Sequence, residues 1–181
     1  MTTPSEIITF WTRAGRKAWF AKDDAFDAAI RERFEAAHHA AARGQLDDWT
    51  RNAEGALALL LLLDQFPRNL WRGSAHAYAT DGLARRIAND AIANGHDMAT
   101  ALELRMFFYL PFEHSEYLAD QDRSVRLGEA LQSAGGEKSE WARKHREIIA
   151  RFGRFPHRNE AMGRESTAEE RTFLDGGGFA G

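Results

Sequence analysis

A chain of 181 residues, 44% of them apolar and 28% charged, suits one soluble globular domain and excludes a disordered ground state. The absence of cysteine excludes disulfides and thiolate metal sites and fits a reducing cytoplasm. The formal charge of -3 is uneven: residues 138–164 hold eight Lys/Arg against three Glu, +5 there and -8 elsewhere. Such a patch can attract an acidic partner, but a solvated helix face is the commoner reason for it, and without a recognised motif nucleic acid ranks well behind. The start, MTTPSEIITF, lacks the basic-then-apolar order of a signal peptide, and the longest apolar run, 56–63, is far too short to span a bilayer.

Helix signals begin at once. Thr3-Pro4-Ser5-Glu6 is a capping box with proline at the first helical position. Asp23 or Asp24 caps a second helix, in which Phe26, Ile30 and Phe34 recur at four-residue steps, and Gly44 stands where a C-cap is needed. The leucines at 57 and 59–63 cover every face of a segment over 48–65, so that helix should be central and buried. Helices follow over 74–94, stopping at Gly95, and over 97–110, stopping before Pro111. Two more span 113–134, ending at Gly135-Gly136, and 137–152, ending at Gly153; a second capping box, Ser166-Thr167-Ala168-Glu169, opens a short last helix. Valine occurs once, at Val125, and no β-branched run alternates with polar residues, so strands are not expected. The whole reads as one all-α domain over 1–175 with a flexible Gly-rich tail at 176–181.

Prolines 67, 111 and 156 are spaced 44 and 45 residues apart, each interval holding helix, glycine break, helix. That period suggests stacked antiparallel helical hairpins with the three proline junctions at one end. Two of the junctions repeat a phrase, "QFPRN" at 65–69 and "RFPHRN" at 154–159, which this stacking would make neighbours. Asp64, in the last turn of a buried helix, needs a cation, which Arg68, Arg105 or Arg158 can supply; with Gln65 it is expected in a structural polar network. Arg68, Asn69, Arg105, Glu113, His114, Glu116, His157, Arg158 and Asn159 are the candidate ligand-binding residues, because arginine and histidine outnumber carboxylates near the prolines and helix N-termini add anion-seeking amides. His114 and His157 are the candidate acid–base groups. "EHSE" at 113–116 lacks the spacing of a helical zinc motif, so no metal or other cofactor is expected, and no nucleophile elbow surrounds Ser115.

Four stretches carry a resemblance: FWTRAGRKAWFAKDDAFDAAIRERF, LLLLDQFPRNLWRGSAHAYATD, RMFFYLPFEHSEYLADQDRSVRL and FGRFPHRNEAMGRESTAEERTFL. Together, over nearly the whole chain, they resemble the bacterial domain-of-unknown-function family 924. The resemblance implies a tetratricopeptide-like right-handed superhelix of about 7–9 helices and no established activity. Two functional readings follow. One is a binding module holding an anionic small molecule or an acidic peptide at the proline junctions; the other is a small-molecule enzyme with His114 and His157 as acid–base groups and arginines as anchors. In a third, the polar motifs only hold the fold.

Overall fold

The computed structural model describes residues 2–136 and 140–179, and among them every regular element is helical, with no strand. The backbone clusters as two compact units, Met1–Arg72 with His76–Pro111, and Gly73–Ala75 with Phe112–Gly181, where the sequence reading has one domain.

In the first unit α1 (Pro4–Trp19) starts on the expected capping box: the Glu6 amide donates to Thr3 Oγ1, and the Thr3 amide to Glu6 Oε2 at 2.8 Å. Helix α2 (Asp24–Ala42) starts on Asp23, whose Oδ1 accepts the amides of Ala25 and Phe26, and ends at Gly44 with φ 73°. The leucine segment begins later than its pattern suggests. Asp47–Arg51 is a 3-10 turn, and α3 (Ala53–Leu60) starts on the Asn52 cap. Gly55 in its first turn is obligatory, since a Cβ there would stand 2.1 Å from the Trp49 carbonyl oxygen. From 56 to 63 each side chain is at most 2% exposed, as a central helix requires. Burial of each leucine contributes about 1.5–3 kcal/mol.

The helix does not end at Pro67. It widens into a π turn, Leu61–Gln65, and continues as α4 (Phe66–Leu70). A proline inside a helix orphans the carbonyl its missing N–H would have served. Here the Phe66 amide reaches back five residues to Leu61, and the Leu62 and Leu63 carbonyls accept from His38 Nδ1 at 2.8 Å and Thr80 Oγ1 at 2.6 Å. Pro111 likewise lies inside a helix: 97–110 is not α-helical but holds a 3-10 segment, Leu102–Phe108, after which a short helix, Leu110–Glu113, runs across the proline. Pro67 and Pro111 therefore lie within helical runs rather than at hairpin boundaries, while Pro156 opens a 3-10 turn, Pro156–Arg158. The expected helix over 74–94 is shorter, a 3-10 turn at Ala75–Tyr78 and a helix at Asp81–Ala93. Numbered in order, Asp81–Ala93 is α5 and Leu110–Glu113 is α6. The pairs Asp27–Asn69 and His38–Leu62 set α2 antiparallel to the α3–α4 rod.

In the second unit, α7 (Leu118–Ser133) and α8 (Glu140–Phe152) are antiparallel, as the pairs Asp122–Arg146 and Glu129–Arg143 require. The expected start of α8 at 137 lies outside the described residues. Helix α9 (Ala168–Asp175) uses a capping box one residue later than the sequence suggests, Thr167 with Glu170 rather than Ser166 with Glu169. The register follows the pairing of Glu170, at 2% exposure, with Arg154, while Glu169 meets Arg151 on the surface. Ile148, Ile149 and Phe155 form a core joined by Phe152, Phe173 and Phe179. Phe179 falls within the expected flexible tail yet packs on this core. No helix among the described residues is long and apolar enough to cross a membrane.

Candidate functional site

The Phe and Asn of the repeated phrase join a similar clamp in each unit, with the arginine outside the phrase in the first and inside it in the second. In the first, Phe66 is fully buried, Asn69 Nδ2 donates to Asp27 Oδ1 at 2.7 Å, and Arg72 grips that carboxylate through Nε at 2.6 Å and Nη2 at 3.0 Å. In the second, Phe155 is fully buried, Asn159 Nδ2 donates to Glu170 Oε2 at 3.3 Å, and Arg154 grips Glu170 through Nε at 2.6 Å and Nη2 at 2.8 Å. Burial raises the pKa of Asp27, but the hydrogen bonds from Arg72 and Asn69 outweigh it and hold the group below its ordinary value. Arg154 does the same for Glu170 against the opposing effect of burial and, with the Thr167 amide, brings it down to about 2.

The other candidates of the first unit are engaged internally. Asp64 is 0% exposed; Gln65 donates to its Oδ2, and Arg68 Nη1 lies 3.6 Å from its Oδ1. Arg68 also makes a bidentate pair with Asp81 at 3.0 Å for each bond. Arg105 donates to the carbonyls of Met98 at 3.4 Å and Thr100 at 3.2 Å, holding the preceding loop. The shallow cleft beside Asn69 sets Lys22, Arg31 and Arg72 among Asp24, Asp27 and Glu32, which leaves it no net charge to draw an anion.

In the second unit the clamp extends into a chain of alternating charge. Glu116 accepts from Arg164 at 2.7 and 2.9 Å and from the Phe155 amide at 2.8 Å, while Arg164 Nε donates to Asn159 Oδ1 at 3.0 Å. Burial opposes ionisation of Glu116; Arg164 overcomes it and lowers the pKa. Arg158, 6% exposed, lies 4.4 Å over the Phe155 ring and donates to the His114 carbonyl at 3.0 Å. The surplus of cations that motivates an anion site at the prolines is thus met largely by Asp27, Asp81, Glu116 and Glu170.

Beside this lock stands a histidine that the sequence reading passes over. His145 Nδ1 is 2.6 Å from Glu113 Oε1, and the two residues are 8% and 9% exposed. Gln121, fully buried, fixes the turn that carries Glu113: its Nε2 donates to the Glu113 carbonyl at 2.7 Å and to that of Ser115 at 2.6 Å. The His145 ring meets Phe155 edge-on at 5.4 Å and Phe179 at 4.6 Å, with Trp141 at 6.3 Å. His157 packs against the same two phenyl rings, 5.5 Å from Phe155 and 5.0 Å from Phe179. A carboxylate on Nδ1 keeps the proton there and leaves Nε2 to exchange a proton or a hydrogen bond with a guest. Among the described residues, Nε2 of His145 has no hydrogen-bond partner.

The structure thus separates the candidates. Glu113, Glu116, Arg158, Asn159 and His157 gather around Phe155, with the His114 backbone; Arg68 and Asn69 serve separate clamps in the first unit, and Arg105 holds a loop. One signal for His145 exists in the sequence: it shares a helical face with Ala142, Ile148 and Ile149, so a polar ring there must find a buried partner. Nothing local announces Gln121, Arg164 or Asp27. Among the described residues no group of three or more His, Asp or Glu can hold a metal ion.

The family model described as "Bacterial protein of unknown function (DUF924)" matches residues 7–178. A solved structure, that of the protein of unknown function ATU0120 from Agrobacterium tumefaciens, is 53% identical, with a TM-score of 0.90 over 96% of this chain and 97% of that one. No curated protein matches the chain.

Proposed function

The chain belongs to DUF924, a bacterial family of unknown function, and on that premise we propose that it is a helical binding module for a small organic acid, recognised at His145. The observation that carries this is the buried Glu113–His145 pair at 2.6 Å, bordered by a second imidazole and three aromatic rings. A purely structural histidine needs only one satisfied nitrogen in an apolar wall. Here a carboxylate fixes the tautomer, and the other nitrogen can take the proton that a guest acid brings and then hold the carboxylate so formed. Arg158, packed on Phe155 and donating to the His114 carbonyl, sets a guanidinium against the same ring. The lack of cysteine supports a cytoplasmic setting for it.

The two clamps have the chemistry of locks. Their charges are matched and their carboxylates are largely covered, which suits holding helices in register better than ligand exchange. An acidic peptide fits less well than a small acid, because the imidazole edge is enclosed by rings. A second reading, general-base catalysis, draws on the same Glu113–His145 geometry, with His145 rather than His114 as the base.

A thermal-shift screen of small carboxylates, phosphates and acidic peptides tests the proposal, since a guest present at 100 times its Kd adds about 2.7 kcal/mol. Carboxylates should raise Tm, and His145→Gln should abolish the rise while Arg143→Ala, on the exposed face of α8, keeps it. An equal rise in both variants would remove His145 from the site.

A further inference from the structure

We propose that the slot between His145 and His157 is an aryl-binding subsite, filled in cis by Phe179, and that a ligand carrying an aromatic ring binds by displacing the 176–179 strap. The inference rests on the binding function above and names its substrate class, an aryl-substituted acid.

The Phe179 ring is held as a guest ring would be. It meets His145 at 4.6 Å and 75°, His157 at 5.0 Å and 88°, and Trp141 at 5.8 Å and 53°. Edge-to-face geometry of this kind favours a flat aromatic group over an aliphatic one of similar size. The rim is accessible, because Trp141 is 53% exposed. A strap also has to be built, and this one is. The Gly178 amide donates to the Phe173 carbonyl at 2.9 Å, closing a turn in which Gly177 has φ 80°. A Cβ on Gly178 would come within 2.6 Å of the Phe173 ring, so only glycine lets the chain fold back here. The strap's backbone is tied to the end of α9 through Leu174 and Phe173, while its ring reaches the slot; those few bonds can open without disturbing the clamp on Glu170.

A ring tethered in its own binding slot lowers apparent affinity by the fraction of time the slot is closed. If it is closed nine-tenths of the time, removing the ring raises affinity about tenfold. The test titrates wild type, Phe179→Ala, Phe179→Leu and His145→Gln with phenylacetate and with acetate, following the histidine Cε1–H signals by NMR. Phenylacetate should bind Phe179→Ala about tenfold more tightly than wild type, with Phe179→Leu in between, while acetate, lacking a ring, should show no such gain. Phe179→Leu keeps an apolar plug and reports the trend even if the alanine variant is poorly folded. Equal or weaker phenylacetate binding in the folded Phe179 variants, or no phenylacetate binding to any of them, overturns the strap. His145→Gln binding phenylacetate as well as wild type would instead sink the binding function on which the strap depends.

Discussion

Glu170 is 2% exposed and collects hydrogen bonds from Arg154, Asn159 and the Thr167 amide. Removing it leaves Arg154 only the Glu165 carbonyl and Asn159 only Ser166, and takes the side-chain acceptor from the Thr167 amide. Glu170→Ala should therefore cost about 1–3 kcal/mol in urea denaturation, whereas exposed Glu169→Ala should stay within about 0.5 kcal/mol; similar losses would mean the clamp is not a lock. Asp64 behaves likewise, because Arg68 keeps Asp81 when Asp64 is lost. Asp64→Ala should cost about 1–3 kcal/mol, and the Asp64→Ala/Asp81→Ala pair more than the sum of the two single losses. Simple additivity would mean that Arg68 does not couple them. The pairing of Asp64 was readable because a buried anion demands a cation nearby, although the helix runs on past Asp64 instead of ending there. That Asn69 would donate to Asp27 was not, since they stand 42 residues apart and no local pattern joins them.

At the scale of elements, the glycine stops and the two capping boxes predicted helix ends to within a few residues, apart from the one-residue shift at Thr167. The prolines misled for a physical reason. A proline ends a helix only when nothing else can serve the carbonyl it abandons, and His38 and Thr80, which do so here, lie on α2 and just before α5. Thr80→Val should therefore orphan the Leu63 carbonyl and cost about 1–3 kcal/mol. Adding Pro67→Ala restores an N–H able to reach that carbonyl and should recover part of the loss. A double variant no more stable than Thr80→Val alone would show that the π turn does not depend on this exchange.

For the whole molecule, fold class was legible from composition and caps, but the division into two units was not, because the chain passes between them more than once, at Gly73–Ala75 and again inside α6. The pH dependence of stability also belongs to this scale. Asp27, Glu116 and Glu170 all have folded-state pKa values below their ordinary ones, so the native state binds fewer protons than the unfolded chain in acid. Their stabilisation is complete above the ordinary carboxylate values and is lost as pH falls, for Glu170 between 4.5 and about 2. Circular dichroism should show stability dropping through that window, less steeply in Glu170→Gln; identical slopes would contradict the assignment. The proposed site depends on Glu113 holding the proton on His145 Nδ1 and leaving Nε2 for a ligand. Nitrogen-15 NMR of histidine-labelled protein tests it most directly. The expected result is a proton resident on Nδ1 of His145 and an Nε2 signal that moves when a carboxylate binds. A proton resident on Nε2 in place of Nδ1, or an Nε2 signal unmoved by a bound carboxylate, would sink the proposal.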